Sequence, residues 1–270
     1  MGIQNELNIV SKPQYTTRTL KLAVADRRAY YVAKRVMDVV IASCLLICLF
    51  PIMVLVGLVI FIYSPGPVFF VQERVGAKRR SIENKTYWEP TTFHCYKFRT
   101  MKVNVDSSIH REYIKALIEN NLEQMHAIQN AATRPRKDGN NEKIIAAQNA
   151  ATRPRKIIND ARIITPGRLL RKFSLDELPQ LWNVLRGEMS MVGPRPAIPY
   201  EVEMYKPWHK QRLQAQPGIT GLQQVTARCI TDFDEQVKLD IEYVENQSLW
   251  LDLKIAIKTP LAIIIARGAH

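Results

Sequence analysis

One uncharged stretch, Val39 to Tyr63, limits the folds open to this chain more than any other feature of its sequence. It is built mostly from Val, Ile, Leu and Phe, and as a helix its roughly 25 residues are enough to cross a bilayer. Pro51 lies in its middle, where it removes one helical hydrogen bond and crowds the preceding turn. The stretch is therefore predicted to be a membrane segment that is kinked or broken at Pro51.

The charges beside this stretch distinguish two paths through the bilayer. Lys34 and Arg35 precede it, and Arg74 begins a second basic set after it. Positively charged flanks tend to stay in the cytoplasm, so a straight span would send one set to the wrong side. A re-entrant helix over 36–63 that bends at Pro51 and leaves by the same face keeps both sets inside. A kinked single-pass anchor is the alternative that the residues alone leave open.

The charge balance of the whole chain indicates an anionic partner. The 270 residues carry a formal net charge of +13, which favours nucleic acid, phospholipid head groups or phosphorylated substrates. The four cysteines include no Cys-x-x-Cys pair, and the five histidines form no ligand cluster. Neither a disulfide framework nor a zinc site is indicated, and this cysteine usage is typical of a reducing compartment.

Both ends of the chain are predicted to lie at a membrane surface. Residues 1–35 are polar and basic and are interpreted as a leader that runs along the membrane. Residues 248–270 are apolar, but Asp252 opposes a span and Pro260 is expected to interrupt the segment. With Trp250 at head-group depth, an interfacial amphipathic helix is favoured.

Two short strands are predicted after the membrane segment, over Val68–Val75 and Thr91–Thr100. The alternation in the second strand places Cys95, Lys97 and Arg99 on one face. Its two cations are therefore directed to a common side.

The rest of the region 64–247 is mostly helical by pattern. Residues 104–130 carry an apolar stripe of helical period. The sequence Gln129–Lys137 recurs as Gln148–Lys156, and two copies are too few for a solenoid. The segment from about 102 to 158 is interpreted as a surface insert. The expected fold is α/β in the α+β sense, with short helices around a small antiparallel strand element.

Two adjacent carboxylates stand in a pattern that predicts the start of a helix. Ser174 with Glu177 three residues later is a capping box, which places Asp176 in the first turn. Free N–H groups and the positive end of the helix dipole favour an ionised carboxylate there and also attract phosphate. Arg186-Gly187 is expected to end this helix. A capping box with an acidic first turn needs no catalysis, and spacing alone favours that structural interpretation.

Two arginines flank these carboxylates in the sequence. Arg195 lies between Pro194 and Pro196, which restrict its backbone. A rigidly held guanidinium is a good bidentate phosphate ligand. Arg171 is delivered by a short helix that Thr165 opens as the predicted N-cap.

These strings resemble the bacterial sugar transferases, the monotopic phosphoglycosyl transferases that initiate lipid-linked glycan assembly. The matching pieces run from Leu169 to Ser190 and from Val192 to Pro196, with further matches at Tyr96–Met101 and Pro217–Gly221. The resemblance implies a UDP-sugar donor, undecaprenyl phosphate as acceptor, UMP as leaving product and Mg²⁺ as cofactor. It also implies a re-entrant helix in the bacterial inner membrane, with a catalytic domain over 64–247 on the cytoplasmic face.

The resemblance also implies roles for single residues. Asp176 is the implied nucleophile of a phosphosugar-aspartyl intermediate, and Glu177 is implied in metal or proton handling, so that both carboxylates are Mg²⁺ ligands. The implied phosphate-binding residues are Arg195, Arg171, Lys97 and Arg99. Asp240, within Leu239–Val244, is a further nucleotide-binding candidate, for which an exposed helix acid is the alternative.

Other functions remain open at this point. Polyprenyl phosphate could attack the donor directly, with Asp176 as a metal ligand or base. A basic membrane-tethered binding protein and an inactive relative that serves as a scaffold are the non-enzymatic alternatives. Membrane phospholipids are expected partners, nucleic acid is not expected, and pairing of the chain with itself is left open.

Overall fold

The computed structural model describes residues 27–82, 85–103, 108–132, 162–226 and 232–265. Most of the predicted leader 1–35, most of the predicted insert 102–158 including most of its duplicated sequence, and the last five residues lie outside the described residues. The described part is mixed, with short helices around small strand elements, as predicted.

A single long helix, α1 (Arg28–Tyr63), contains the apolar stretch. By length and composition it is able to cross a membrane. The helix runs through Pro51 without interruption, so the predicted break is not seen, because one missing hydrogen bond is tolerated between intact turns. It also begins earlier than residue 36. The bend and the re-entrant path stay predictions.

Strands β1 (Phe69–Ile82) and β2 (Lys85–Phe98) form an antiparallel hairpin. Gln72 pairs with Cys95 and Arg74 pairs with Phe93. Both strands, at 14 residues each, are longer than the sequence predicts, because their outer halves are charged and polar and lack the alternation of a half-buried strand. The hairpin therefore extends well past the residues that sequence reasoning assigned to it.

The remaining elements are short. The structure places α2 at Ser108–Ile118, α3 at Leu122–Ala132, α4 at Thr165–Lys172, α5 at Gln180–Leu185, β3 at Ser190–Val192, α6 at Pro199–Glu203, β4 at Gly218–Thr220, α7 at Leu222–Thr226, α8 at Phe233–Glu245 and α9 at Leu249–Ile265. Two 3₁₀ segments cover Leu175–Glu177 and Pro207–Leu213. Strands β3 and β4 pair in parallel, so the antiparallel hairpin is accompanied by a small parallel pair.

Both halves of α1 lie against the same hairpin. Before Pro51, Ala42 belongs to a buried cluster with Phe93 and Cys95. After it, Val56 and Ile60 belong to a second cluster with Phe98. The helix therefore lies along the globular part on one side. Its other side exposes apolar side chains, among them Val32, Val36, Val40, Ile47, Phe50, Val54, Leu55, Leu58, Phe61 and Ile62.

A buried polar network joins α9 to the start of α1. Lys34 Nζ lies 2.9 Å from Asp252 Oδ2, and both side chains are buried. Asp252 also accepts hydrogen bonds from the hydroxyls of Tyr30 and Tyr243. The acid that was predicted to oppose a membrane span thus anchors α9 instead.

Helix α9 continues through Pro260, so the predicted interruption there is wrong. As at Pro51, one lost hydrogen bond does not end the helix. Trp250, Ile257 and Leu261 are exposed on it. A helix with an apolar exposed side is consistent with an interfacial location, which stays a prediction.

Candidate active site

The predicted capping box does not form. Ser174 has a left-handed backbone, with φ of 56°, and its side chain makes no capping hydrogen bond. Leu175–Glu177 form one 3₁₀ turn, and α5 begins only at Gln180, after Pro179. A residue that is not extended cannot act as an N-cap of the usual geometry, so the helix start predicted at Ser174 is wrong. The predicted helix end at Gly187 is confirmed, with φ of 74° and its N–H donating to Val184 O.

Apolar anchors on both sides hold the turn that carries the two carboxylates. Leu175 and Leu178 pack on the buried cluster that contains Val56 and Ile60 of α1. Asp176 and Glu177 lie between these anchors. Helix α1 therefore positions the carboxylates directly.

Lys97 meets the second carboxylate. Its Nζ lies 2.7 Å from Glu177 Oε1, and both side chains are about a quarter exposed or less, at 20% and 27%. Lys97 is the next to last residue of β2, so the hairpin presents it to the 3₁₀ turn. The structure thus brings together two residues that are 80 positions apart in the chain.

The surroundings of Asp176 act on the pKa of its carboxyl in opposite directions. Burial raises the pKa of its carboxyl above the ordinary value, and the negative charge of Glu177 raises it further, while Lys97 and Arg171 oppose the rise. A carboxylate with a raised pKa is more basic and so a better nucleophile once ionised. The two cations that were predicted beside Asp176 are therefore within electrostatic range of it.

Arg171 is held in place by a neighbour on the strand side. It lies in the last turn of α4, and its Nε donates to Thr100 Oγ1 at 2.9 Å. Thr100 is buried, which fixes the direction of the arginine. The guanidinium therefore reaches the Asp176 side of the site from α4, while Lys97 reaches it from β2.

Arg195 is exposed on a loop whose backbone is clamped. Arg74 Nη1 donates to Pro196 O at 2.9 Å, and Val75 N–H donates to Ala197 O at 2.8 Å. From the other side, Arg212 Nη2 donates to Arg195 O at 3.4 Å. The rigidity that the flanking prolines predict for Arg195 is thus reinforced by two other arginines.

Arg74 is a site residue that the sequence pattern does not single out beyond its charge beside the apolar stretch. It is 8% exposed, and its Nη2 donates to Gln72 Oε1 at 2.6 Å. The pKa of its guanidinium is lowered by burial and by the nearby Arg195. The alternation of Gln72 and Arg74 on β1 was the signal available, because it places both on the face that carries Cys95 and Lys97.

Arg195 and the carboxylate pair are linked through the centre of this hairpin face. The buried Cys95 thiol interacts electrostatically with Lys97, Arg74, Glu177 and Arg195, and burial raises its pKa. A buried thiol with a raised pKa is a poor nucleophile. Cys95 is therefore a buried residue beneath the site and is not its reactive group.

Arg99, which was predicted to bind phosphate, has backbone carbonyls as its partners. Arg99 is 5% exposed, and its guanidinium donates to the carbonyls of Ser64 and Pro65. It lies beyond Phe98, where β2 ends, so the alternation that placed it beside Lys97 does not extend to it. Arg99 thus supports the turn after α1, and its phosphate-binding role stays a prediction.

Asp240 is enclosed by other side chains rather than exposed on its helix. It is 1% exposed and lies 2.5 Å from Arg212 Nη2. Burial raises the pKa of its carboxyl, and Arg212 opposes that rise. The burial contradicts the exposed alternative, and the predicted nucleotide-binding role stays a prediction. Asp240 instead holds Arg212, which in turn holds the backbone of Arg195.

Gly193, at the start of the Arg195 loop, is expected to tolerate no side chain. A Cβ at Gly193 would collide with the backbone of Gln216 and Gly218. Gly193→Ala is therefore expected to lower the thermal midpoint by about 5 °C, the scale of an overpacked core site, and to lower turnover by displacing Arg195. Gly57→Ala is the matched control, since its Cβ would meet only Val68 at an ordinary 3.5 Å. Equal midpoints for the two variants in a thermal scan would contradict the close packing of this loop.

The raised pKa of Asp176 predicts how stability depends on pH. Because the folded state binds the proton more tightly than the unfolded state, ionisation of Asp176 costs stability as pH rises. Asp176→Asn removes this cost, so at pH 7 the variant is expected to unfold at a higher temperature than the parent. The difference should shrink as pH falls below about 4, the ordinary pKa of an Asp carboxyl, because the parent group is then protonated in both states. Thermal scans in EDTA across this range measure it, and a variant that is less stable at pH 7 would contradict the stated environment of Asp176.

The carboxylates of Asp176 and Glu177 fit a magnesium ion only if substrate phosphates supply further ligands to the same ion. In the part of the chain that the structure describes, no cluster of three or more His, Cys, Asp or Glu side chains could hold a metal. Asp176 and Glu177 supply two adjacent carboxylates, and Mg²⁺ commonly binds through one or two carboxylates together with substrate phosphates and water. The residues present therefore fit an ion that arrives with a diphosphate.

Comparison with known proteins decides the family. The family model described as "Bacterial sugar transferase" matches residues 29–266. The chain belongs to the bacterial sugar transferase family. The match extends from the first turn of α1 through the hairpin and the Asp176–Glu177 turn to the end of α9, so this sugar transferase carries the family sequence over nearly its whole described structure.

Three relatives show the range of names within the family. The exopolysaccharide production protein ExoY of Sinorhizobium fredii is 35% identical over 240 residues, which cover 88% of each chain. The UDP-glucose:undecaprenyl-phosphate glucose-1-phosphate transferase of Caulobacter vibrioides is 32% identical, covering 90% of this chain and 74% of its own. The undecaprenyl-phosphate galactose phosphotransferase of Salmonella typhimurium is 35% identical, but only 43% of its length is covered. The sugar transferase described here is thus similar to proteins named for different sugars.

Proposed function

We propose that this sugar transferase moves a sugar-1-phosphate from a UDP-sugar to undecaprenyl phosphate, releasing UMP and initiating a lipid-linked glycan. The single observation that carries the proposal is the Asp176–Glu177 turn, which is seated on α1 and contacted by Lys97. Paired carboxylates among cations suit attack on a diphosphate, and an apolar helix beneath them suits a lipid acceptor. The names of the relatives support the same substrates.

The first chemical step is assigned to Asp176. A carboxylate oxygen of Asp176 forms a bond to the sugar-bearing phosphorus, and the bond from that phosphorus to the bridging oxygen breaks, so UMP leaves with that oxygen. The burial and raised pKa of Asp176 favour this role, because they make its carboxylate more basic. Lys97 and Arg171 approach from two elements, and their charges would stabilise the developing negative charge on the phosphoryl oxygens.

In the second step, a phosphate oxygen of undecaprenyl phosphate attacks the same phosphorus. The acyl–phosphate bond to Asp176 breaks, which regenerates the carboxylate and leaves the sugar on a lipid diphosphate. Arg195 is placed to hold an incoming phosphate, since its guanidinium is exposed on a clamped backbone. When bound at Asp176 and Glu177, Mg²⁺ would neutralise diphosphate charge.

The acceptor explains why the site is built on an apolar helix. An isoprenoid tail cannot leave the bilayer, so the reacting groups must lie at the head-group plane. Val56 and Ile60 of α1 pack beneath the turn that carries Asp176, while neighbouring positions such as Leu55 and Leu58 are exposed. Placement in the inner membrane, with the catalytic domain on the cytoplasmic side, is part of this proposal, and the basic flanks of α1 support it.

Turnover with a panel of UDP-sugars tests the reaction and the donor together. The purified chain, undecaprenyl phosphate and Mg²⁺ are combined with each UDP-sugar, and UMP is measured. One or a few donors are expected to release UMP and to yield the matching lipid diphosphate. Absence of UMP with every donor, in protein that is folded by thermal scan, would contradict the proposal.

A further inference from the structure

A second recess lies towards the outer end of the hairpin, away from Lys97. Its volume is about 320 Å³. Lys78 follows Phe70, the partner of Lys97, by eight positions on β1, which at about 3.3 Å per residue separates them by roughly 26 Å. The start of α1, the outer part of β1 and the segment after α5 enclose this recess. Its charged lining residues are Lys34, Arg35, Asp38, Lys78, Arg79 and Arg80.

The lining is strongly cationic. Five of the described lining residues carry a positive charge, and Asp38 is the one acid among them. Asp38 is already engaged, since its Oδ1 accepts the Met191 N–H at 3.0 Å. The side chains that line the recess therefore carry a net positive charge.

Two of the five cations have carboxylate partners. Lys34 is paired with the buried Asp252. Arg80 pairs with Glu89 at 3.0 Å, but both side chains are exposed, so that pair contributes little.

The other three cations have none among the ion pairs of the described residues. Arg35 donates to the neutral carbonyls of Val184 and Leu185, and Arg79 lies over the Tyr31 ring at 4.2 Å. Lys78 is exposed at the rim. These contacts hold the two guanidinium groups in place without neutralising them, which is the arrangement that an anion requires.

The position of the recess indicates where such an anion comes from. Lys34 and Arg35 are the last cations before the apolar stretch, and Val32 and Val36 are exposed on the same part of α1, at 62% and 58%. The recess thus opens beside the point where the exposed apolar surface of α1 begins. Basic pockets beside a membrane-associated helix suit phosphate-bearing head groups.

We propose that this recess is a phosphate-binding site separate from the site of sugar transfer. Two sources have the required chemistry: the head group of an anionic membrane phospholipid and free phosphate. Arg79 would contact the phosphate from β1 and Arg35 would contact it from α1, while Lys78, whose side chain leaves β1 on the opposite face from Arg79, would add only longer-range attraction. The site would fix the tilt of α1 against the hairpin while leaving the Asp176 turn accessible.

Binding is tested on the purified full chain in a neutral detergent, without measuring turnover. The probes are dihexanoylphosphatidylglycerol, dihexanoylphosphatidylcholine and inorganic phosphate, each followed by thermal scan. Phosphatidylglycerol is expected to raise the midpoint saturably by about 2–4 °C when it exceeds its dissociation constant tenfold. A matching shift with inorganic phosphate would identify the phosphate group itself as the ligand, whereas no shift with it would identify the lipid head group.

Variants localise the effect. Lys78→Gln with Arg79→Gln is expected to abolish the shift, and Lys78→Gln alone, which leaves Arg79 on Tyr31, is expected to reduce the shift only slightly. The control is Lys115→Gln with Lys238→Gln, which removes the same charge from α2 and α8 and should keep the full shift. The proposal is overturned by a shift that persists in the first variant, by equal loss in the control, or by equal shifts with phosphatidylcholine. It is also overturned if neither phosphatidylglycerol nor phosphate has any effect.

Discussion

Asp176→Asn is expected to lower kcat for sugar-phosphate transfer by at least about 10³-fold, because it removes the nucleophile on which both steps depend. The amide has nearly the same shape as the carboxylate, so Leu175 and Leu178 should still pack on α1. The loss is therefore expected in folded protein. Initial rates of UMP release with undecaprenyl phosphate present provide the measurement.

Two further variants are compared with Asp176→Asn. Glu235→Gln, the same acid-to-amide change at an exposed position of α8, is the matched control and should keep the parent rate. Glu177→Gln is expected to reduce the rate less than Asp176→Asn, since it frees Lys97 but leaves the nucleophile in place. An Asp176→Asn enzyme that works within a few-fold of the parent rate would exclude Asp176 as the nucleophile.

Asp240→Asn is expected to destabilise the fold by about 3–5 kcal/mol, because it leaves the buried Arg212 charge without its partner. For a chain of this size the thermal midpoint should fall by roughly 10 °C. Turnover should fall as well, since Arg212 also donates to the backbone of Arg195. Thermal scans and steady-state kinetics of the same preparation measure both effects.

A double variant separates the two contributions. Asp240→Leu with Arg212→Met replaces the pair by apolar groups and is expected to recover much of the stability. It should not recover turnover, because the hydrogen bond to Arg195 O is still missing. If Asp240→Asn instead kept the parent midpoint and only raised KM for the UDP-sugar, Asp240 would be a nucleotide ligand after all.

The parts of the site that could be predicted from sequence are those that lie on short continuous strings. Asp176 and Glu177 stand out as adjacent acids between arginines, and the alternation of β2 directs Lys97 to the correct face. Their meeting across 80 residues follows from the hairpin folding over the 3₁₀ turn, which no local pattern contains. The resemblance to a family supplied that link.

The wrong predictions share one physical cause, which is that tertiary contacts override local rules. Ser174 satisfies the capping-box pattern, but its left-handed backbone and the following Pro179 delay the helix. Arg99 and Asp240 fit a charged strand face and an exposed helix face, yet each is buried against a specific partner. Burial of a charged side chain depends on which other element covers it, and the chain order alone does not show this.

The long hairpin was underestimated for a related reason. Its outer half carries Lys78, Arg79 and Arg80 on β1, and such a run of charged residues is typical of a solvated loop. Paired backbone hydrogen bonds extend the ladder through it nonetheless. The same charge run is what makes the second recess cationic.

The central claim is that the carboxylate of Asp176 accepts the phosphosugar, and one measurement tests it most directly. The sugar transferase is mixed with its UDP-sugar and Mg²⁺ in the absence of undecaprenyl phosphate, and both UMP release and intact protein mass are recorded. The covalent route predicts a burst of one UMP per active site and a mass gain of one sugar phosphate on the peptide that contains Asp176. Release of UMP only after the lipid acceptor is added, with no change in protein mass, would contradict it and would favour direct attack by the acceptor.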